Sequence, residues 1–313
     1  MFAKNVLVAA AALVASVAAQ AQSVNVYGNL DVAVGSFETD LTHRITKVES
    51  SVLTGSFIGF KGQEDLGGGL KLTFKLESSV GVDTGKAGAT NFWDRTSELG
   101  LAGAYGSLTG GNSVALSARA QDAQGPFSVF GMLNGNKNVL ALHGAGFGAV
   151  QANSLTFSSQ TYSGFSGALQ YGARETNGVR DTYALQGNYA TGPLAAGVTV
   201  TDTDGASLWQ LGGSYDFGVA KAFAQIGEAD VSANNDLQYF QLGAAVPVAA
   251  NCKVLASWTH GKSNGLKTDE LSFGYDHTLS KRTGAYVGVD YVREKTTTAD
   301  SGISLAVGLR HAF

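Results

Sequence analysis

The feature that most constrains this chain is a two-residue hydrophobic period that recurs from residue 24 to the C-terminus. Val24, Val26, Leu30, Val32 and Val34 alternate with Asn25, Tyr27, Asn29 and Asp31. Leu70, Leu72, Phe74 and Leu76 alternate with Lys71, Thr73, Lys75 and Glu77. Trp209, Leu211 and Tyr215 oppose Gln210 and Ser214, and Leu271, Phe273 and Tyr275 oppose Ser272 and Asp276. The last segment sets Ile303, Leu305, Val307, Leu309 and Phe313 against Ser304, Gly308 and Arg310. Successive side chains of a strand point to opposite faces, so each segment predicts a strand with one apolar and one polar face. Counted along the chain there are about sixteen, and strands of roughly 11 residues are long enough to cross a bilayer at a tilt.

Turn signals divide the strands on two scales. Short ones include Glu64–Gly69, Ala104–Gly106, Thr191–Pro193, Asp216–Gly218 and Leu279–Arg282. Longer polar breaks fall at Asp83–Asn91, Glu175–Asp181, Asp202–Gly205, Ser232–Asp236, Lys262–Thr268 and Thr296–Ser301. Short turns at one end and longer loops at the other fit a barrel spanning an outer membrane. One connection, Ser113 to Gly148, is far longer than the rest, and a loop of that length in a compact fold is expected to be functional.

A soluble β-sandwich is the competing architecture. It would carry charges on its outer row and prolines at edges and turns. Here only 15% of residues are charged, against roughly 25% in a soluble domain, and the chain has 3 prolines. The polar row is mostly Gly, Ser, Thr, Gln and Asn. A sheet in hydrocarbon must close, because an open edge leaves backbone groups unsatisfied. The prediction is an all-β, transmembrane antiparallel barrel of about 16 strands.

The N-terminus reads as an export signal. Lys4 precedes an apolar run from Val6 to Ala19, and Ala19-Gln20-Ala21 is a small-x-small cleavage site. Residues 1–21 are therefore expected to be a signal peptide and 22–313 the barrel. The single cysteine, Cys252, excludes a disulfide framework and reads as a buried or lipid-facing thiol. A net charge of −4 argues against nucleic-acid binding.

Particular segments resemble the Gram-negative general porins of the neisserial and β-proteobacterial type. The mature start, Val24-Asn25-Val26-Tyr27-Gly28-Asn29-Leu30-Asp31, is similar to that family's opening strand. Gly62-Gln63-Glu64-Asp65-Leu66-Gly67-Gly68-Gly69-Leu70-Lys71 resembles its first periplasmic hairpin. Asn153-Ser154-Leu155 with Gly164-Phe165-Ser166-Gly167 resembles its middle strands, and Leu279-Ser280-Lys281-Arg282-Thr283 its last turn. Val307-Gly308-Leu309-Arg310-His311-Ala312-Phe313 ends on an aromatic that resembles the signal read by the outer-membrane assembly machinery. The resemblance implies a 16-stranded homotrimer in outer-membrane lipid that passes ions and small hydrophilic solutes. It also implies that the long third loop, 113–148, folds into the lumen as the constriction.

The chain departs from that family at the pore. Phe57 stands where the family usually has an arginine, on the same strand face as Lys61. Gly110-Gly111-Asn112 replaces the usual Gly-Arg-Gln, so a second arginine is missing. Arg95 matches a family arginine, but its parity goes with Leu99 and Leu101, so a bulge or strand end is needed to turn it inward. With Phe127 and Phe130 on the loop, Phe57 is expected to add an apolar element to the constriction. Lys61, Arg95 and Arg119 would leave a residual anion preference. Lys61, Lys71, Lys75, Arg95 and Arg119 face Asp31, Glu77, Glu98 and Asp122 as candidate lumen charges.

Nothing in the sequence calls for catalysis or a cofactor. The five histidines, His43, His143, His260, His277 and His311, have no metal-ligand spacing with one another or with Cys252. Ser154 and His143 are the nearest nucleophile–base candidates. Gly144-Ala145-Gly146-Phe147-Gly148 has neither the spacing nor the following lysine of a phosphate cradle. The alternative to a pore is a non-conducting barrel with an adhesive or structural role, which the short outer loops disfavour.

Overall fold

A strand leaves its N–H and C=O groups pointing sideways, and in hydrocarbon only neighbouring strands can satisfy them. The computed structural model, which describes residues 24–38, 43–89, 91–142, 147–231, 236–295 and 299–313, meets that demand by closing the sheet. The strands are β1 (Asn25–Glu38), β2 (Arg44–Ser50), β3 (Phe57–Gly67), β4 (Leu70–Ser79), β5 (Thr96–Gly103) and β6 (Gly106–Val114). After two helices follow β7 (Val150–Ser159), β8 (Phe165–Gly172), β9 (Thr182–Thr191), β10 (Leu194–Thr203) and β11 (Ala206–Asp216). The last are β12 (Lys221–Asp230), β13 (Asp236–Ala249), β14 (Cys252–Ser263), β15 (Leu266–Thr278), β16 (Thr283–Lys295) and β17 (Ala299–Ala312). Neighbours in sequence, β2 and β3 excepted, pair antiparallel, and β1 pairs with β17 from Asn29↔Ala312 to Ser36↔Leu305. The barrel has no open edge.

The barrel has 16 positions although 17 strands are described, because β2 and β3 share one place. β2 pairs with the second half of β1 and β3 with its first half. Residues 51–56 leave the wall between them, and Ser51 adopts φ +63° at the exit. Gly55 and Ser56 therefore belong to this break, and the strand resumes at Phe57.

The predicted faces are the observed ones. Leu99, Val198, Leu271 and Val307 are exposed on the outside, whereas Gln170, Gln210, Thr259 and Ser272 are buried on the inside. The start of β1, Phe313 and the short turns lie at one rim. At the opposite rim two expected loops are tight hairpins: β10 and β11 are joined by Asp204-Gly205 alone, and β14 and β15 by Asn264-Gly265. Asn264 and Gly265 have φ +47° and +82°, the left-handed pair of a two-residue hairpin. The polar residues of 202–205 and 262–268 had suggested longer loops because these strands run past the apolar band, where a polar residue on either face costs little.

The long connection runs from Ala115 to Ala149, since β6 continues through Val114 and β7 begins at Val150. It carries α1 (Leu116–Gln124) and α2 (Gly135–Leu142), which lie inside the barrel. α1 packs against β9–β12 and α2 against β13–β15. The sequence reading contained no helix here; both are short and only weakly amphipathic, because wall contacts rather than a regular apolar stripe hold them. The expected signal peptide, His143 and most of the 144–148 glycine run lie outside the described residues.

Candidate pore constriction

The inward loop is anchored to the wall on two sides. On one side a set of glutamines, each on the inner face of its strand, grips α1 by its backbone and by the Gln124 side chain. Gln170 on β8 accepts from Leu116 N at 3.3 Å, and Gln186 on β9 donates to Leu116 O at 3.3 Å. Gln210 on β11 donates to Ser117 O at 2.8 Å, and Gln225 on β12 to Gln124 Oε1 at 2.6 Å. Gln124 in turn donates to Gly197 O at 2.9 Å. An apolar cluster of Val139 and Leu140 against Leu208, Ala229, Leu237 and Tyr239 holds α2. These wall glutamines were the main features missed from sequence. Their signal is the repetition of Gln at inward parity on successive strands.

On the other side the anchor is the wall break at 51–56. Asp31 on β1 is fully buried, and its Oδ2 accepts from Leu53 N at 3.0 Å, Thr54 N at 2.6 Å and Thr54 Oγ1 at 3.1 Å. Tyr286 donates its hydroxyl to the other carboxylate oxygen. This turns Val52 and Leu53 inward, where they pack with Phe127, Leu133 and Leu255. Met132 N donates to Val52 O at 3.0 Å, tying the loop to the break. Asp31 is thus not a lumen charge, as the sequence had suggested, but the acceptor that shapes this excursion.

Between the two anchors stands Arg95. It directly precedes β5, and this strand end is the device that turns it inward. Its guanidinium lies 4.5 Å from the Phe57 ring centroid and 3.8 Å from that of Phe130. Its Nε is 3.8 Å from Glu77 Oε2, while Glu77 Oε1 accepts from Tyr27 OH at 2.6 Å and lies 3.7 Å from Lys75 Nζ. Tyr27 meets Phe57 edge-on at 5.7 Å and carries Lys61 Nζ over its ring at 4.5 Å. Gly55 is required beside this stack, since a Cβ there would come within 2.7 Å of both Arg95 Nη1 and Phe130 Cβ.

The remaining predicted residues take different places. Arg119 on α1 donates to Ser158 Oγ at 3.5 Å, with Glu98 as its electrostatic partner. Asp122 accepts from Val129 N at 2.5 Å and lines a cavity of about 290 Å³ with Lys253, Asp276 and Arg310. Loss of water inside the barrel raises the Asp122 carboxyl, against the pull of the Val129 N–H and Arg95. Burial likewise lowers the Lys137 ammonium on α2, with Glu270 opposing it. Phe127 corrects the expectation of a pore-lining ring: it is 4% exposed and wedged between the loop and the wall at Gly274 and Leu255. Asn112 donates to Trp93 O and Asp94 O at 3.3 and 3.4 Å, so it braces a neighbouring loop. Phe313 pairs with Gly28 by bonds of 3.1 and 3.2 Å at the seam between β1 and β17.

Among the described residues no group of three His, Cys, Asp or Glu side chains is placed to hold a metal ion. Ser154 is buried and donates to Gly111 O at 2.9 Å. Cys252 lies at the rim of the short turns with its Sγ 3.0 Å from His277 Nδ1.

The profile of the Gram-negative porin family matches residues 7–297. The chain belongs to that family. Outer membrane porin protein 32 of Delftia acidovorans is 30% identical to this porin over 99% of the chain and 100% of its own length. The major outer membrane protein P.IB of Neisseria lactamica is 27% identical over 99% of the chain and 100% of its length. The anion-selective porin from Comamonas acidovorans superposes with a TM-score of 0.83 at 26% identity, covering 93% of this chain and all of that one. OmpT of Vibrio cholerae in its trimer form shares the barrel, with a TM-score of 0.69 at 17% identity over 94% of this chain and 100% of that one. This porin is an outer-membrane pore for ions and small hydrophilic solutes.

Proposed function

We infer that this porin is a homotrimeric diffusion pore with a weak preference for anions, set where Arg95 is clamped between Phe57 and Phe130. Lys61, Lys75, Arg95 and Arg119 place cations along the passage, with Glu77, Asp94, Glu98 and Asp122 as their acidic neighbours. The Arg95 guanidinium, held between two rings where the passage is narrow and partly dehydrated, favours anions, while the aromatic pair narrows the passage without adding charge. The observation that carries this reading is the Arg95 stack. The related anion-selective porin supports the sign, and the trimer form of a porin with the same barrel supports the assembly. The reading includes no catalytic role, because the Ser154 hydroxyl is committed to a backbone carbonyl in a buried position.

Planar-bilayer recording across a potassium chloride gradient tests the reading. Openings in groups of three, with a small reversal potential of anion-selective sign, are expected. A cation-selective sign would overturn the charge argument, and absence of conductance would favour a structural barrel.

A further inference from the structure

The outer wall near the loop rim carries an ionic patch that the pore does not use. Below it the outward rows of β13–β16 are apolar: Ala244, Ala256, Phe273 and Val289 in one row, Leu242, Trp258, Leu271 and Tyr291 in the next. One step nearer the rim the row reads Phe240, His260, Asp269 and Arg293. Asp269 there accepts from Arg293 Nη2 at 2.8 Å and from Trp258 Nε1 at 3.3 Å, and pairs with His260 Nδ1 at 2.8 Å. One step further, Lys262 and Lys267 stand directly opposite each other, both exposed, neither in an ion pair among the described residues.

Two features give this patch a direction. Like charges directly opposed across a strand pair destabilise the sheet, and their Cβ atoms are only about 5 Å apart, so one anion can bridge both. The lysines also sit two rows beyond the last wholly apolar row, in which Trp258 and Tyr291 are aromatics of the kind found at a membrane interface, and so reach the depth of lipid headgroups. Arg293 and Asp269 neutralise each other in an ion pair, which leaves Lys262 and Lys267 as the cations in excess. Glu228 and Asp230 on β12 and Asp236 on β13 confine the basic stretch to β14–β16. β14 and β15 are joined beside it by the two residues Asn264-Gly265 alone.

We propose that Lys262 and Lys267 form a binding site on the outer wall for the phosphate of an outer-leaflet lipid headgroup, its acyl chains lying on the Trp258–Leu271 face. The porin in phosphatidylcholine nanodiscs, with bisphosphorylated lipid A added, should retain lipid A in native mass spectrometry. At about five-fold per lysine, Lys262→Gln with Lys267→Gln should weaken retention about thirty-fold. The charge-preserving pair Lys262→Arg with Lys267→Arg should keep it, and unchanged single-channel conductance of both variants verifies the fold. Equal retention by the Gln variant, or equal retention of dephosphorylated lipid A, would overturn the site. Displacement by millimolar inorganic phosphate would overturn the lipid assignment in favour of a free-phosphate site.

Discussion

A guanidinium held between two aromatic rings keeps its charge but loses much of its freedom. The contacts of Arg95 with Phe57 and Phe130 are of the kind worth roughly 0.5–2 kcal/mol each, depending on how far water is excluded. Phe57→Arg would set a second cation against Arg95 in place of an attractive ring. Both charges would then be driven toward the water of the lumen. The expected result is a reversal potential shifted toward anions in a salt gradient; an unchanged potential with a less stable trimer would assign Phe57 to packing alone. Asp31 works through the backbone instead. Asp31→Ala leaves Leu53 N–H, Thr54 N–H and the Tyr286 hydroxyl without their acceptor, at about 1–3 kcal/mol for each group left buried and unpaired. The temperature at which the barrel loses its compact migration in gels should fall, and open-channel current noise should rise as Val52 and Leu53 loosen. Parity in the sequence placed Phe57, Lys61 and Asp31 on the inner face. It could not say that residues 53–54 would cover Asp31 or that Phe127 would be wedged against the wall, because burial inside a lumen depends on partners beyond the local strand.

At the scale of elements, the inward loop is a plug side-docked to half of the wall. Its helices are too short to be stable alone. Backbone groups at the start of α1 are met by Gln170, Gln186 and Gln210, and the Gln124 side chain at its end by Gln225, amide groups that both donate and accept. Gln186→Ala with Gln210→Ala removes the bonds to Leu116 O and Ser117 O while the strands keep their own ladder. Bilayer recordings should show larger and noisier conductance, with heat stability of the barrel little changed; a quiet channel of wild-type size would show that the Val139–Leu140 cluster alone holds the loop. The strands themselves were legible because period two is a local signal. The break at 51–56 was not, since it depends on Asp31 reaching across from β1. The Asp204-Gly205 and Asn264-Gly265 hairpins were overestimated for a related reason: beyond the apolar band, strand and loop have the same composition.

For the whole molecule, closure is the step on which everything else depends, and it occurs where β1 meets β17. Phe313 N donates to Gly28 O and Gly28 N to Phe313 O, extending the ladder that β1 and β17 form from Asn29 to Ser36. The Phe313 ring lies across Gly28, where a Cβ would come within 2.6 Å of Cζ. Phe313 thus offers two separable features, a backbone clasp on the seam and an aromatic ring beside it. Removing Phe313 takes away both, and processed protein should accumulate in the periplasm. Phe313→Ala separates them, because it keeps both backbone bonds and deletes only the ring. If the ring is what the assembly machinery reads, the Ala variant should accumulate in the periplasm much as the truncation does. If the clasp matters instead, the Ala variant should reach the outer membrane at wild-type levels while the truncation does not. Wild-type levels of both variants, measured by fractionation, would remove Phe313 from assembly altogether and leave the long β1–β17 ladder sufficient to close the barrel.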